Sequence, residues 1–172
     1  MTARRQNLAI RVSFRPGLRA SRGKLAPAGG PGVEVHAGSF LRKREIVLDA
    51  SLLASPKELA RILIHELFHF VWLRLGNPGR RSYEALIAGE IRERVRGELG
   101  WSAEWRKRRL TARDRSERTR RWREYVCESF CDTAGWLVSG GGRHEEFTLD
   151  RRCRTRRRRW FCGAEALRRI AL

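Results

Sequence analysis

At 172 residues the chain has room for one domain with a real core and is too short for two. Its 38 Lys and Arg against 19 Asp and Glu give a net charge of +19, a field that attracts nucleic acid or acidic partners unless it is simply a solvated face. No apolar stretch of about 20 residues is present to span a bilayer. Met1 to Arg11 lacks the apolar centre of a secretory signal, and Cys127, Cys131, Cys153 and Cys162 do not make a disulfide scaffold at this length, so the expected compartment is the cytoplasm.

Leu8 to Phe14 alternates well enough for a first strand. Arg15 to Gly32 is rich in Arg, Gly, Ala and Pro and reads as a loop. Val33–His36 and Glu45–Asp49 then read as two short strands, a hairpin closed around Gly38-Ser39. The fold class this predicts is α+β, a small, mostly antiparallel sheet packed on one buried helix with two or more further helices. The open edge of the strand before that helix is suited to adding an extended peptide.

Ser55-Pro56-Lys57-Glu58 opens the central helix, with Ser55 as N-cap, Pro56 at the first helical position and Glu58 completing a capping box. Gly76-Asn77-Pro78-Gly79 is the predicted stop. Ile62 to Leu73 is apolar around almost its whole circumference except at His65, Glu66 and His69, and polar groups on a buried helix need something to hold them. The two histidines are one turn apart on one face and can converge on a single metal ion, with Glu66 beside them to reach a water. Two core histidines bonded to ordinary partners are the bland alternative; the intervening Glu, alone among apolar residues, favours a metal.

A second helix is predicted from about Ser82 to Leu99, and a basic surface helix or helical hairpin from Trp101 to Arg121. In the proposed single domain over 1–172, positions 77–121 form a basic helical insertion and 151–172 an Arg-rich C-terminal tail. A third helix spans Arg120 to Val138, ended by the glycines at 140–142. Arg143 to Leu149 reads as a short extended segment, and a small apolar helix follows the arginine run 151–159.

A catalytic zinc commonly has three protein ligands. Leu75 and Trp72 stand where the extended metzincin motif needs His and Gly, so the third ligand comes from another helix. Glu128, among Val126, Cys127, Phe130 and Cys131, is the strongest candidate. Asp132, one turn on, is placed to accept the outer N–H of a metal-bound imidazole, and Gly135 would let the helices approach closely. The exposed Glu–Asp pair that is the alternative fits poorly with those apolar neighbours.

His65-Glu66-Leu67-Phe68-His69 together with Glu128-Ser129-Phe130-Cys131-Asp132 resembles the gluzincin zinc metallopeptidases, over two helices and about a quarter of the chain. The resemblance implies one zinc on His65, His69 and Glu128, Glu66 as general base and Asp132 as the partner behind a ligand. The interval between His69 and Glu128 is longer than in compact members of that clan. Glu84 lies nearer and is the runner-up ligand, but Ala88 stands where its supporting Asp would be. His144, Tyr125 and Tyr83 are candidate oxyanion stabilisers. The implied activity is hydrolysis of peptide bonds in a peptide or protein substrate. The alternative is a basic nucleic-acid-binding protein with a structural or degenerate zinc site, Trp101, Trp105 and Trp122 lying among its arginines, or a protease acting on nucleic-acid-bound proteins. The x3 and x8 spacings of the cysteines match no familiar four-Cys zinc motif; buried thiols are the expectation.

Overall fold

Three successive apolar residues, Ile46, Val47 and Leu48, are stable in a strand only where both of its faces are covered. In the computed structural model, which describes residues 9–21 and 24–164, they form the centre of β6, and none is more than 1% exposed. The strands in chain order are β1 (Arg11–Arg15), β2 (Arg19–Ser21), β3 (Lys24–Ala26), β4 (Val33–Glu34), β5 (Ala37–Phe40) and β6 (Glu45–Asp49). One sheet has the order β1-β6-β5, with β1 parallel and β5 antiparallel to β6; the other has the order β3-β2-β4 and is antiparallel throughout.

The α+β architecture matches the sequence reading, with local differences. The stretch 15–32 is more than a loop, because it supplies β2 and β3. The hairpin joins β5 to β6 through 41–44, and Gly38-Ser39 lie inside β5. Arg44 takes the left-handed turn conformation there at φ 51°, which is open to non-glycine residues at some cost. Leu8 lies outside the described residues.

After a short 3-10 turn at Ala50–Ala54, the described residues form six α-helices: α1 (Pro56–Arg74), α2 (Gly76–Arg92), α3 (Trp101–Lys107), α4 (Ala112–Ser116), α5 (Arg120–Val138) and α6 (Arg151–Gly163). At the start of α1, Pro56 sits in the first turn, but Ser55 makes no side-chain cap bond. Glu58 pairs instead with Arg61 and His144. The predicted break at 76–79 is the opening of α2. Gly76 turns the chain at φ 72°, and Pro78 falls in the first turn, where a missing N–H leaves no bond unmade. That helix stops at Arg92, and Leu99 lies in the connection to α3. The basic stretch from Trp101 folds as two short helices, and 143–149 contains no strand. The arginine run 151–159 lies within α6; residues 165–172 lie outside the described part. No described helix is long and apolar enough to cross a membrane.

α1 is the middle layer. One side packs on the β1-β6-β5 sheet through Ile62, Phe70, Ile46, Leu48 and Leu52. The other lies along α5, where Val71 and Leu75 meet Tyr125, Val126 and Phe130. Helices α2, α3 and α6 close over α5. Phe130, Tyr83, Trp160 and Phe161 form an aromatic cluster, Phe130 stacking on Phe161 at 5.0 Å.

Between α2, α5 and α6 lies a buried charge network. Arg157, fully buried, bonds Glu90 (2.6 Å) and Glu98 (2.7 Å), both also fully buried. Glu98 further accepts from the Tyr125 hydroxyl (2.6 Å) and pairs with Lys107 (3.2 Å). Burial alone would raise the pKa of Glu98, but the charge and hydrogen bonds of Arg157, with the Lys107 charge and the Tyr125 hydroxyl, together outweigh it and the net direction is down. The folded carboxylate therefore takes up a proton less readily than the unfolded one. Its stabilisation is complete above the ordinary value of 4.5 and is lost as pH falls through the lower folded value. Urea midpoints measured down a pH series should decline as pH falls below that value.

Candidate metal centre

α1 and α5 cross closely because Gly135 has no side chain: a Cβ there would lie 3.1 Å from the Arg61 carbonyl oxygen and 3.8 Å from the His65 Cβ. That approach brings His65, His69 and Glu128 together as one group of potential ligand atoms. His65 Nε2 lies 3.3 Å and His69 Nε2 3.9 Å from Glu128 Oε2. Ligand atoms about 2.05 Å from a tetrahedral zinc would be roughly 3.3 Å apart, so the donor set fits zinc in both chemistry and spacing.

Behind this group, His65 Nδ1 lies 2.8 Å from Asp132 Oδ1. Asp132 also accepts the Ala103 N–H through Oδ2 at 2.9 Å, so one carboxylate ties α1, α5 and the start of α3 together. With its Nδ1 proton held by Asp132, His65 would present the Nε2 lone pair to a metal bound there. Burial, the largest single influence, would lower the pKa of His65, but the charge and hydrogen bond of Asp132, the hydrogen bond to Glu128 and the Glu66 charge together carry it well above its ordinary value. Burial likewise opposes ionisation of Glu128, yet hydrogen bonding from His65 and the surrounding positive charge bring it down to about 2.

Gly100 packs against that carboxylate so tightly that a Cβ would fall 2.2 Å from Asp132 Cγ. Gly100→Ala should displace Asp132 and cost about 1–3 kcal/mol of stability, read as a lower urea midpoint. Zinc affinity should drop about 10–100-fold as His65 loses its orienting partner, read by competition with a chelator.

Glu66, 8% exposed, is held through its carboxylate by the hydroxyl of Ser39 on β5. Sheet and site helix are thus joined at the candidate base. A cleft of about 320 Å³ opens beside it, lined by Val35, His36, Ala37, His65, Glu66 and Trp101 among others. Strand β5 is the edge of its sheet and runs alongside α1.

Four other sequence candidates are engaged elsewhere. Glu84 is bonded to Arg118 (2.6 and 2.7 Å) and to the Trp122 indole (2.7 Å), apart from the histidines. Tyr83 and Tyr125 are buried, bonded to Ser129 and Glu98 respectively. His144 has both ring nitrogens committed, Nε2 lying 3.3 Å from Glu58 and Nδ1 accepting the Glu146 N–H at 3.2 Å. Glu58 and the 144–146 turn hold the imidazole of His144, the expected oxyanion donor.

The sequence reading missed Arg106, whose guanidinium lies 3.0 Å from Glu128 Oε1, and Ser39. An arginine in a basic stretch and a serine in a predicted turn carry no local mark of such a role. Cys127 and Cys131 were read as buried thiols, and none of the four cysteines is in a disulfide. Both face His69 Nδ1, at 3.6 and 3.5 Å. Hydrogen bonding from Cys131 lowers the Cys127 pKa to about 6, while burial pushes that of Cys131 up. Comparison with protein-family models, with curated proteins and with solved structures finds no match to the chain.

Proposed function

We propose that the chain is a zinc-dependent metallopeptidase of gluzincin type, in which His65, His69 and Glu128 hold the metal and Glu66 is the general base. The observation that carries this reading is the convergence of those three donors, with Asp132 fixed behind His65 and Glu66 facing the cleft. Zinc bound there would supply Lewis-acid polarisation of a carbonyl and activation of a water.

The rest of the chemistry belongs to the chain. Glu66, oriented by Ser39, takes a proton from the attacking water and delivers it to the departing amine nitrogen. The open edge of β5 aligns an extended substrate by main-chain hydrogen bonds. Asp132 keeps the His65 proton on Nδ1. Arg106, bonded to the outer oxygen of Glu128, holds that carboxylate in place beside the histidines.

The test is elemental analysis of wild type, His65→Ala, Glu84→Ala and Glu128→Ala, purified without an affinity metal. About one zinc per chain is expected, lost with His65→Ala and Glu128→Ala and kept with Glu84→Ala. Zinc that survives the first two changes would overturn the ligand set.

A second reading rests on the surface of α3. Trp101 and Trp105 are 60% and 42% exposed, with Arg109 stacked over Trp105 at 3.6 Å and Arg108 near Trp101 at 5.9 Å. Such a face suits single-stranded nucleic acid, by stacking and by phosphate pairing. Steeply salt-dependent binding that is insensitive to Glu66→Gln would support it.

A further inference from the structure

We propose that Cys127, Cys131 and Nδ1 of His69 form a second metal site, for a soft, thiophilic cation of the Cu(I) or Cd(II) kind, sharing one imidazole with the first. The two cysteines are one turn apart on α5 and therefore leave the same face. Their sulfurs lie 3.6 and 3.5 Å from His69 Nδ1, and the three ligand atoms all fall within 4.8 Å of one another. Sulfur and nitrogen bonded to one tetrahedral ion of zinc's size would be roughly 3.6 Å apart.

The contrast between the two histidines points the same way. A metal-bound imidazole usually gives its outer N–H to a fixed oxygen acceptor, and His65 has Asp132 in that place. His69 faces two sulfurs, which are poor hydrogen-bonding partners but are the ligands that select soft cations over Mg(II) or Ca(II). Cys131 is fully buried and Cys127 half-buried, so an ion enters past Cys127.

Occupation by Cd(II) forms two metal–thiolate bonds, and any proton carried by either sulfur leaves to solvent. If Nε2 of His69 already serves the first site, the Nδ1 proton leaves too and the imidazolate bridges. No oxidant or reductant is needed. Because His69 belongs to both groups, a soft cation weakens its hold on the first metal, giving the centre sensitivity to thiophilic metals.

The probe is one equivalent of Cd(II), added to the purified full chain and read by the ultraviolet sulfur-to-cadmium charge-transfer band. The band is expected in wild type, in Cys153→Ser/Cys162→Ser and in Glu128→Gln, and should be lost in Cys127→Ser and Cys131→Ser. Absence of the band in wild type, or its persistence in both single serine variants, overturns the proposal. X-ray absorption of Cd-loaded wild type is independent of whether the variants fold: a shell with two sulfurs supports the site, and a shell without sulfur sinks it. The site does not rest on the peptidase reading. Retention of the band in Glu128→Gln supports it whatever the zinc content of that variant.

Discussion

Glu66→Gln is expected to lower peptide hydrolysis by about 10²–10⁴-fold, the usual contribution of a positioned general base, while bound zinc stays at the wild-type level. The substitution is nearly isosteric, and the Ser39 hydroxyl can still donate to the amide oxygen as it does to the carboxylate. The three candidate ligands are untouched, since Glu66 stands outside the His65–His69–Glu128 group. Only the capacity to accept a proton at this position is removed. Hydrolysis of a mixed peptide library, followed by mass spectrometry beside elemental analysis of the same samples, separates the two properties. Equal turnover in wild type and variant would remove Glu66 from the chemistry. Lost zinc would mean instead that it supports the site's structure.

Arg157→Met should be the most damaging single change to the fold, costing about 3–5 kcal/mol, the scale for breaking one partner out of a buried ion pair. The methionine fills much of the arginine's volume, so the effect is electrostatic. Glu90 and Glu98, both fully buried, would be left beside one another without the guanidinium. Lys107 would still reach Glu98, but Glu90 would keep no such cation. Combining Arg157→Met with Glu90→Gln and Glu98→Gln should recover a large part of the loss, because the unpaired charges are then gone. Urea unfolding of the single and triple variants measures both. A single variant as stable as wild type would show the network to be energetically idle.

The helices that position the candidate site were legible because burial left long apolar runs in them. α5 was expected at 120–138 and spans Arg120–Val138, its apolar run ending at a cluster of glycines. α1 was recognisable from the apolar run around His65, Glu66 and His69. What escaped was set by contacts distant in sequence or by very short elements. β2 and β3 have three residues each, too few for a period to show among glycines and prolines. The β5–β6 turn carries Arg44 rather than glycine at its left-handed position, which hid it and shifted the hairpin. Gly76-Asn77-Pro78-Gly79 reads as a stop, yet Pro78 equally suits the first helical turn in which it lies. Arg157 sits in a run of arginines, and residue type alone does not show which of them turns inward. Arg106 meets Glu128 only because α3 folds back over α5.

The placement of Arg157 also has a consequence for the order in which the chain is made. Glu90, Glu98 and most of the core around Tyr125 leave the ribosome well before α6 does. Until residue 157 emerges, closing α2 and α5 over those carboxylates would bury two negative charges with little to offset them, so a nascent chain that stops short of α6 should stay open there. The last described helix thus supplies the main countercharge to a core whose apolar parts precede it in the chain, and closure of that region is expected only after α6 has been made.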